Sequence, residues 1–92
     1  MMLRVQRSEE TGIAVYVLSG RIGDKHLPEL KELIFADTNL TRNILDLAEV
    51  KLVDMEAVAF LARCEAAGIE LRNCPSYVRI WIDARRDIGH EA

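Results

Sequence analysis

Two hydrophobic periods alternate along this chain. Ile13-Ala14-Val15-Tyr16-Val17-Leu18 is a nearly continuous apolar run with β-branched and aromatic members, which predicts a strand covered on both faces. Residues 3–7 predict a strand ahead of it. The polar stretch Ser8-Glu9-Glu10-Thr11-Gly12 between them reads as a hairpin turn. After a break at residues 19–24 the period changes to that of a helix over residues 24–35. Leu27, Leu30 and Ile34 form its apolar stripe, and Glu29, Lys31 and Glu32 its wet side. Pro28 belongs in the first turn, where its missing N–H is not needed. Asp37, Thr38, Asn39 and Thr41 make a loop. Residues 43–47 form a short apolar strand, and Val50, Leu52 and Val53 continue an apolar segment to Asp54.

From residue 55 to 67 the pattern is helical again, with Val58, Leu61 and Ala62 on one face. Asp54 is a natural N-cap, and Gly68 a natural stop. Residues 69–72 alternate as a fourth strand. Pro75 opens a last helix over residues 76–87, whose inner stripe is Val78, Trp81, Ile82 and the stem of Arg85. The order β-β-α-β-α-β-α predicts an α/β fold with a mixed, mostly parallel four-stranded sheet packed with helices and right-handed crossovers. At 92 residues this is one domain, 1–92.

Composition narrows the function. Twelve Lys and Arg against fifteen Asp and Glu give a net charge of −3, which argues against nucleic acid as a partner. No apolar run approaches bilayer-spanning length, and Met1-Met2-Leu3-Arg4 leads straight into patterned sequence, so neither membrane insertion nor a signal peptide is expected. The two cysteines make no disulfide framework, and a reduced, cytoplasmic setting is the default. So short a chain leaves little room for a deep pocket beyond its core.

The stretch Ile44-Leu45-Asp46-Leu47-Ala48-Glu49-Val50-Lys51-Leu52-Val53-Asp54 resembles the core of the STAS domain, the fold of anti-sigma-factor antagonists and of the cytoplasmic tails of sulfate transporters. Asp46 and Asp54 keep the family's spacing of eight. Upstream, Leu18-Ser19-Gly20-Arg21-Ile22 is similar to the end of the family's second strand. Downstream, Gly68-Ile69-Glu70-Leu71 and Pro75-Ser76-Tyr77-Val78 are similar to its tail. The resemblance implies a non-enzymatic bacterial signalling module without cofactor or metal. In the regulatory members two hydroxyl residues and a glycine follow the second aspartate, and the second hydroxyl accepts phosphate from a partner kinase. Here the tetrad is Asp54-Met55-Glu56-Ala57. Neither Met55 nor Glu56 can carry a phosphate ester, so the resemblance implies a domain without that switch.

Glu56 nonetheless places a charge where a phosphate would stand, in the field of a helix start. A phosphate-like role toward a partner and plain first-turn stabilisation both fit it. Asp54, Met55, Glu56, Ala57 and Phe60 are the candidate contact residues, with Phe60 either beside Met55 in an exposed patch or tucked into the core edge. Asp24 joins them if it matches the acidic residue the family often carries after its second-strand glycine; otherwise it is an N-cap for the first helix. The partners implied are an anti-sigma factor of the kinase type or, alternatively, the ATPase subunit of a lipid- or anion-transport assembly; a homodimer is compatible with either.

Other chemistry finds little support. Asp54 and Glu56 would not face each other across a cleft. Cys64, mid-helix with neither histidine near it in sequence, reads as a small half-buried apolar residue, and Cys74 as a loop thiol. His26 is an ordinary helix-start residue and His90 a frayed terminus. The two His and two Cys show no metal-ligand spacing. Gly20 and Gly23 are not followed by the Lys-Ser/Thr of a phosphate loop. Arg79, Arg85 and Arg86 suit the C-terminal end of a solvated helix, and Trp81 is assigned to the core by its register with Val78 and Ile82.

Overall fold

The structure, a computed structural model, describes residues 3–35 and 42–90, with side chains described as far as Ala84. The loop expected at residues 37–41, the Arg85 stem, Arg86 and the His90 side chain lie outside what it describes. The described residues form a mixed α/β fold with one four-stranded sheet and three α-helices.

The chain opens with a hairpin. Strand β1 (Arg4–Glu10) pairs antiparallel with β2 (Ile13–Ile22), in register from Arg4↔Ser19 to Glu10↔Ile13. The turn is Thr11–Gly12 alone, with φ of 53° and 80°. Two successive left-handed residues twist a two-residue turn to match the strands it joins. Pairing therefore begins at Glu10, and residues 8–10 belong to the strand rather than to the expected five-residue turn.

A single 3-10 turn (Asp24–His26) leads into α1 (Leu27–Phe35), which buries Leu27, Leu30 and Ile34. The N-cap of that turn is Gly23, not Asp24.

Strand β3 (Arg42–Val53) runs parallel to β2 as one element. The break expected after residue 47 is absent, because the register slips twice instead. Val17 faces Asp46 while Ile22 faces Val53, so β3 accommodates two more residues than β2 over that span. The bulges absorb the polar stretch around Ala48 and Glu49 without ending the strand. Helix α2 (Met55–Ala66) follows, ending at Ala67 and at Gly68, whose φ is 95°. Strand β4 (Glu70–Arg72) pairs parallel with Ile44–Asp46, and α3 (Ser76–His90) completes the order β1-β2-β3-β4 with three helices. Helix α3 continues to His90, beyond the expected end at residue 87 and through the residue expected to fray.

The core lies on one face of the sheet. Along β2, Ala14, Tyr16 and Leu18 are fully buried whereas Ile13, Val15 and Val17 are half-buried. The apolar run of β2 thus reflects one packed face and one partly open one, not the double cover expected. Residues of all three helices join those β2 side chains in a single cluster, among them Ile34, Leu61 and Ile82. Tyr16 satisfies its hydroxyl inside that core by donating to the Leu33 carbonyl at 3.2 Å. Among the described residues no helix is long and apolar enough to cross a membrane.

Candidate functional site

The starts of α1 and α2 meet at the end of the sheet where β2 and β3 finish, and Asp54 joins them. Its backbone is extended (φ −88°, ψ 177°), as an N-cap requires. Oδ1 accepts the Ala57 N–H at 2.9 Å, which caps α2 as the sequence predicts. Oδ2 accepts the Asp24 N–H at 3.0 Å. The Asp54 N–H in turn donates to the Ile22 carbonyl at 3.3 Å, extending the β2–β3 ladder by one step. One aspartate therefore anchors two segments thirty residues apart. Gly23 lies beside it: a Cβ there would be 3.5 Å from Asp54 Oδ2, an ordinary contact distance. The Gly23 N–H is oriented toward His26 Nδ1 at 3.4 Å.

Asp46, the other member of the spaced pair, also holds backbone. Its Oδ1 accepts the Ala48 N–H at 3.0 Å, where the first bulge begins, and Asn73 Nδ2 at 3.2 Å.

These anchors set which side chains face outward. Met55 is 63% exposed, and Glu56 and Asp24 are exposed, so these three share the rim around Asp54. Ala57 and Phe60 do not share it. They are 0% and 1% exposed, and the patch of Met55 with Phe60 does not form. Residues 57–61 are all buried, a span that points in every direction around a helix, because α2 is packed by the sheet and by α3. Phe60 is thus a core residue, the second of its two sequence readings.

Apolar surface reaches the rim from elsewhere. Leu52 is 54% exposed just ahead of Asp54. The Tyr77 hydroxyl donates to the Lys51 carbonyl at 3.2 Å, which draws the start of α3 to the same end of β3. Tyr77 meets Trp81 edge to face, with ring centroids 6.0 Å apart. Trp81 is 45% exposed, which overturns its assignment to the core. Among the described side chains of α3, Val78 and Ile82 face inward, and Tyr77, Ile80, Trp81 and Ala84 line an outer face. Their spacing of i, i+3, i+4 and i+7 is a second apolar stripe, legible in the sequence but masked there by the first.

The titratable groups offer little chemistry. Cys64 is fully buried rather than half-buried, and burial pushes its thiol up to about 12. Cys74 is half-buried and raised for the same reason. Arg79 grips Glu65 through two bonds of 2.7 and 2.6 Å and reaches Asp83 at 3.1 Å, so it pins α3 to α2 instead of lying free on a solvated face. No group of three or more His, Cys, Asp or Glu suited to a metal occurs among the described residues. A shallow concavity of about 350 Å³ lies at the opposite end of the sheet, over Ile13, Val15 and Ile44, with Arg42 and Arg72 on its rim. Glu70 pairs with both arginines.

No family model matches the chain, and the search of curated proteins returns no match.

Proposed function

We propose that this chain is a STAS-type protein-docking module that lacks a phosphoacceptor, acting in bacterial signalling as an anti-sigma-factor antagonist does and having no catalytic role of its own. The observation that carries the reading is the rim around Asp54. There Met55 stands 63% exposed beside exposed Glu56, at a helix start fixed from two sides by one carboxylate. A large exposed apolar side chain next to an acid, on a rigid support, is the anatomy of an interface rather than of a reaction centre. Leu52 and Tyr77 add exposed apolar surface near the end of β3, where Tyr77 bonds the Lys51 carbonyl and Trp81 packs on Tyr77.

The charge at Glu56 occupies the position where the resemblance implies a phosphorylatable hydroxyl. The proposed module therefore presents one fixed surface to an anti-sigma factor of the kinase type. Titration against such a purified factor, followed by the emission of the single Trp81, tests this. Met55→Ala and Glu56→Gln are each expected to weaken binding tenfold or more, and Glu29→Gln, on the wet side of α1, to leave it unchanged. Glu56→Ser is expected to take phosphate from the kinase and ATP. Equal affinity for wild type, Met55→Ala and Glu56→Gln would overturn the proposal.

A further inference from the structure

Strand β1 is the terminal strand of the sheet, with β2 on one side and no strand of the described residues on the other. It is seven residues long, and all of it except Val5 is exposed. A strand edge of this length is a template for pairing, and proteins commonly blunt such edges with charge. The charges of β1 are of another kind. They are sorted by sign, with Arg4 at the start of the strand, Arg7 at its centre and Glu9 and Glu10 at its end. Like charges spread along an edge repel a second copy, whereas this order attracts one that arrives antiparallel.

The register follows from the hairpin. Glu10 pairs with Ile13 across a two-residue turn, so the main-chain groups of Glu10, Ser8, Gln6 and Arg4 point toward β2. Those of Val5, Arg7 and Glu9 point outward. An antiparallel pair of β1 strands joined at their outer edges, both cores on the same side, sets Val5 opposite Glu9 of the second copy with a twofold axis at Arg7. Arg4 then lies opposite Glu10 twice, on the open face of the sheet. Gln6 faces Ser8, both able to hydrogen-bond. On the core face each Arg7 already holds its own Glu9 at 3.0 Å. The two such pairs lie diagonal to one another, within reach of long side chains. At the axis itself Arg7 faces Arg7 of the second copy, each guanidinium compensated by its own Glu9, so the attraction between copies comes from the two Arg4–Glu10 oppositions.

We infer that β1 is a homodimerisation edge, on which a second copy of this chain adds antiparallel to give a continuous eight-stranded sheet. The contact is one strand wide, well below the ~1,600 Å² of a standard interface. The dimer therefore forms reversibly with concentration, and salt weakens it because its exposed ion pairs are screened. It leaves the rim around Asp54 uncovered and is independent of the docking role proposed above.

Sedimentation velocity over a hundredfold concentration range tests the inference on the whole chain, with circular dichroism confirming that each variant folds. Wild type is expected to move from monomer to dimer as concentration rises, and to shift back toward monomer between 0.05 and 1 M salt. Arg4→Glu, which sets carboxylate against Glu10, is expected to weaken the dimer at least tenfold. Arg4→Glu combined with Glu10→Arg restores the opposition of signs and is expected to restore the dimer. A chain that stays monomeric throughout the range would overturn the inference. So would a dimer that Arg4→Glu leaves intact, or one that the double swap fails to recover.

Discussion

The carboxylate of Asp54 accepts the backbone N–H of Asp24 at 3.0 Å while capping α2 through Ala57 at 2.9 Å. Sequence periodicity alone accounts for the second bond and not for the first. Together the two bonds make the end of the sheet a single rigid corner. Loss of both in Asp54→Ala is expected to cost about 2 kcal/mol, roughly one for the cap and a similar amount for the second charge-assisted bond. Asp54→Asn keeps one acceptor oxygen and is expected to cost about half as much. Urea denaturation gives the free energies. Hydrogen exchange locates them: the amides of Asp24 and Ala57 should exchange faster together in Asp54→Ala.

Phe60 and Met55 lie on one helix with opposite accessibilities, 1% and 63%. Truncating a buried phenylalanine removes its transfer energy and leaves a cavity, so Phe60→Ala is expected to destabilise by about 3–5 kcal/mol. Met55→Ala is expected to stay within about 0.5 kcal/mol of wild type. Thermal or urea unfolding of the two variants separates the residue that builds the fold from the one available to a partner.

Cys64 imposes a pH dependence. Burial holds its thiol protonated up to about 12 in the folded chain, against 9.0 for the ordinary thiol. Between these values the unfolded chain releases a proton that the folded chain retains. Stability from this group is therefore complete below pH 9 and declines as pH rises toward 12. Cys64→Ala is expected to flatten that alkaline limb in unfolding midpoints measured from pH 8 to 11. Thiol titration of the native protein at pH 8 is expected to label Cys74, which is half-buried, well before Cys64.

Arg79 binds Glu65 by a two-pronged grip that holds its guanidinium above its ordinary pKa. The pair is about a third exposed, so solvent screens part of its strength. Arg79→Lys keeps the charge but not the planar fork. It is expected to lose about 0.5–1 kcal/mol in urea unfolding, most of it recovered as a loss common to Glu65→Gln in a double-mutant cycle.

Much of this architecture is legible in the residues. The stripe Leu27–Leu30–Ile34, the cap at Asp54 and the stop at Gly68 are local signals, each decided within one turn of helix, and each stands where its pattern places it. The departures have tertiary causes. Phe60, which local pattern leaves between an exposed patch and the core edge, is settled as core by the packing around α2, which periodicity alone does not carry. Trp81 is exposed because nothing among the described residues covers the second stripe of α3, so register with Val78 could not decide it. The length of β3 depends on two slips against β2, a property of the pair and not of either strand. The link from Asp54 to Asp24 spans thirty residues, beyond any local pattern.

Because β2, β3 and β4 run in one direction, the chain turns back at the Thr11–Gly12 hairpin and at Gly68 on the side of the molecule away from Asp54. Space is open at Gly68, where a Cβ would touch nothing within 4 Å, but its φ of 95° reserves the position for glycine. A fluorophore, an affinity handle or an inserted reporter grafted at its exposed neighbour Ala67 can therefore be carried without shading the corner where recognition is proposed. Any graft near residues 22–24 or 54–57 would sit directly in its path.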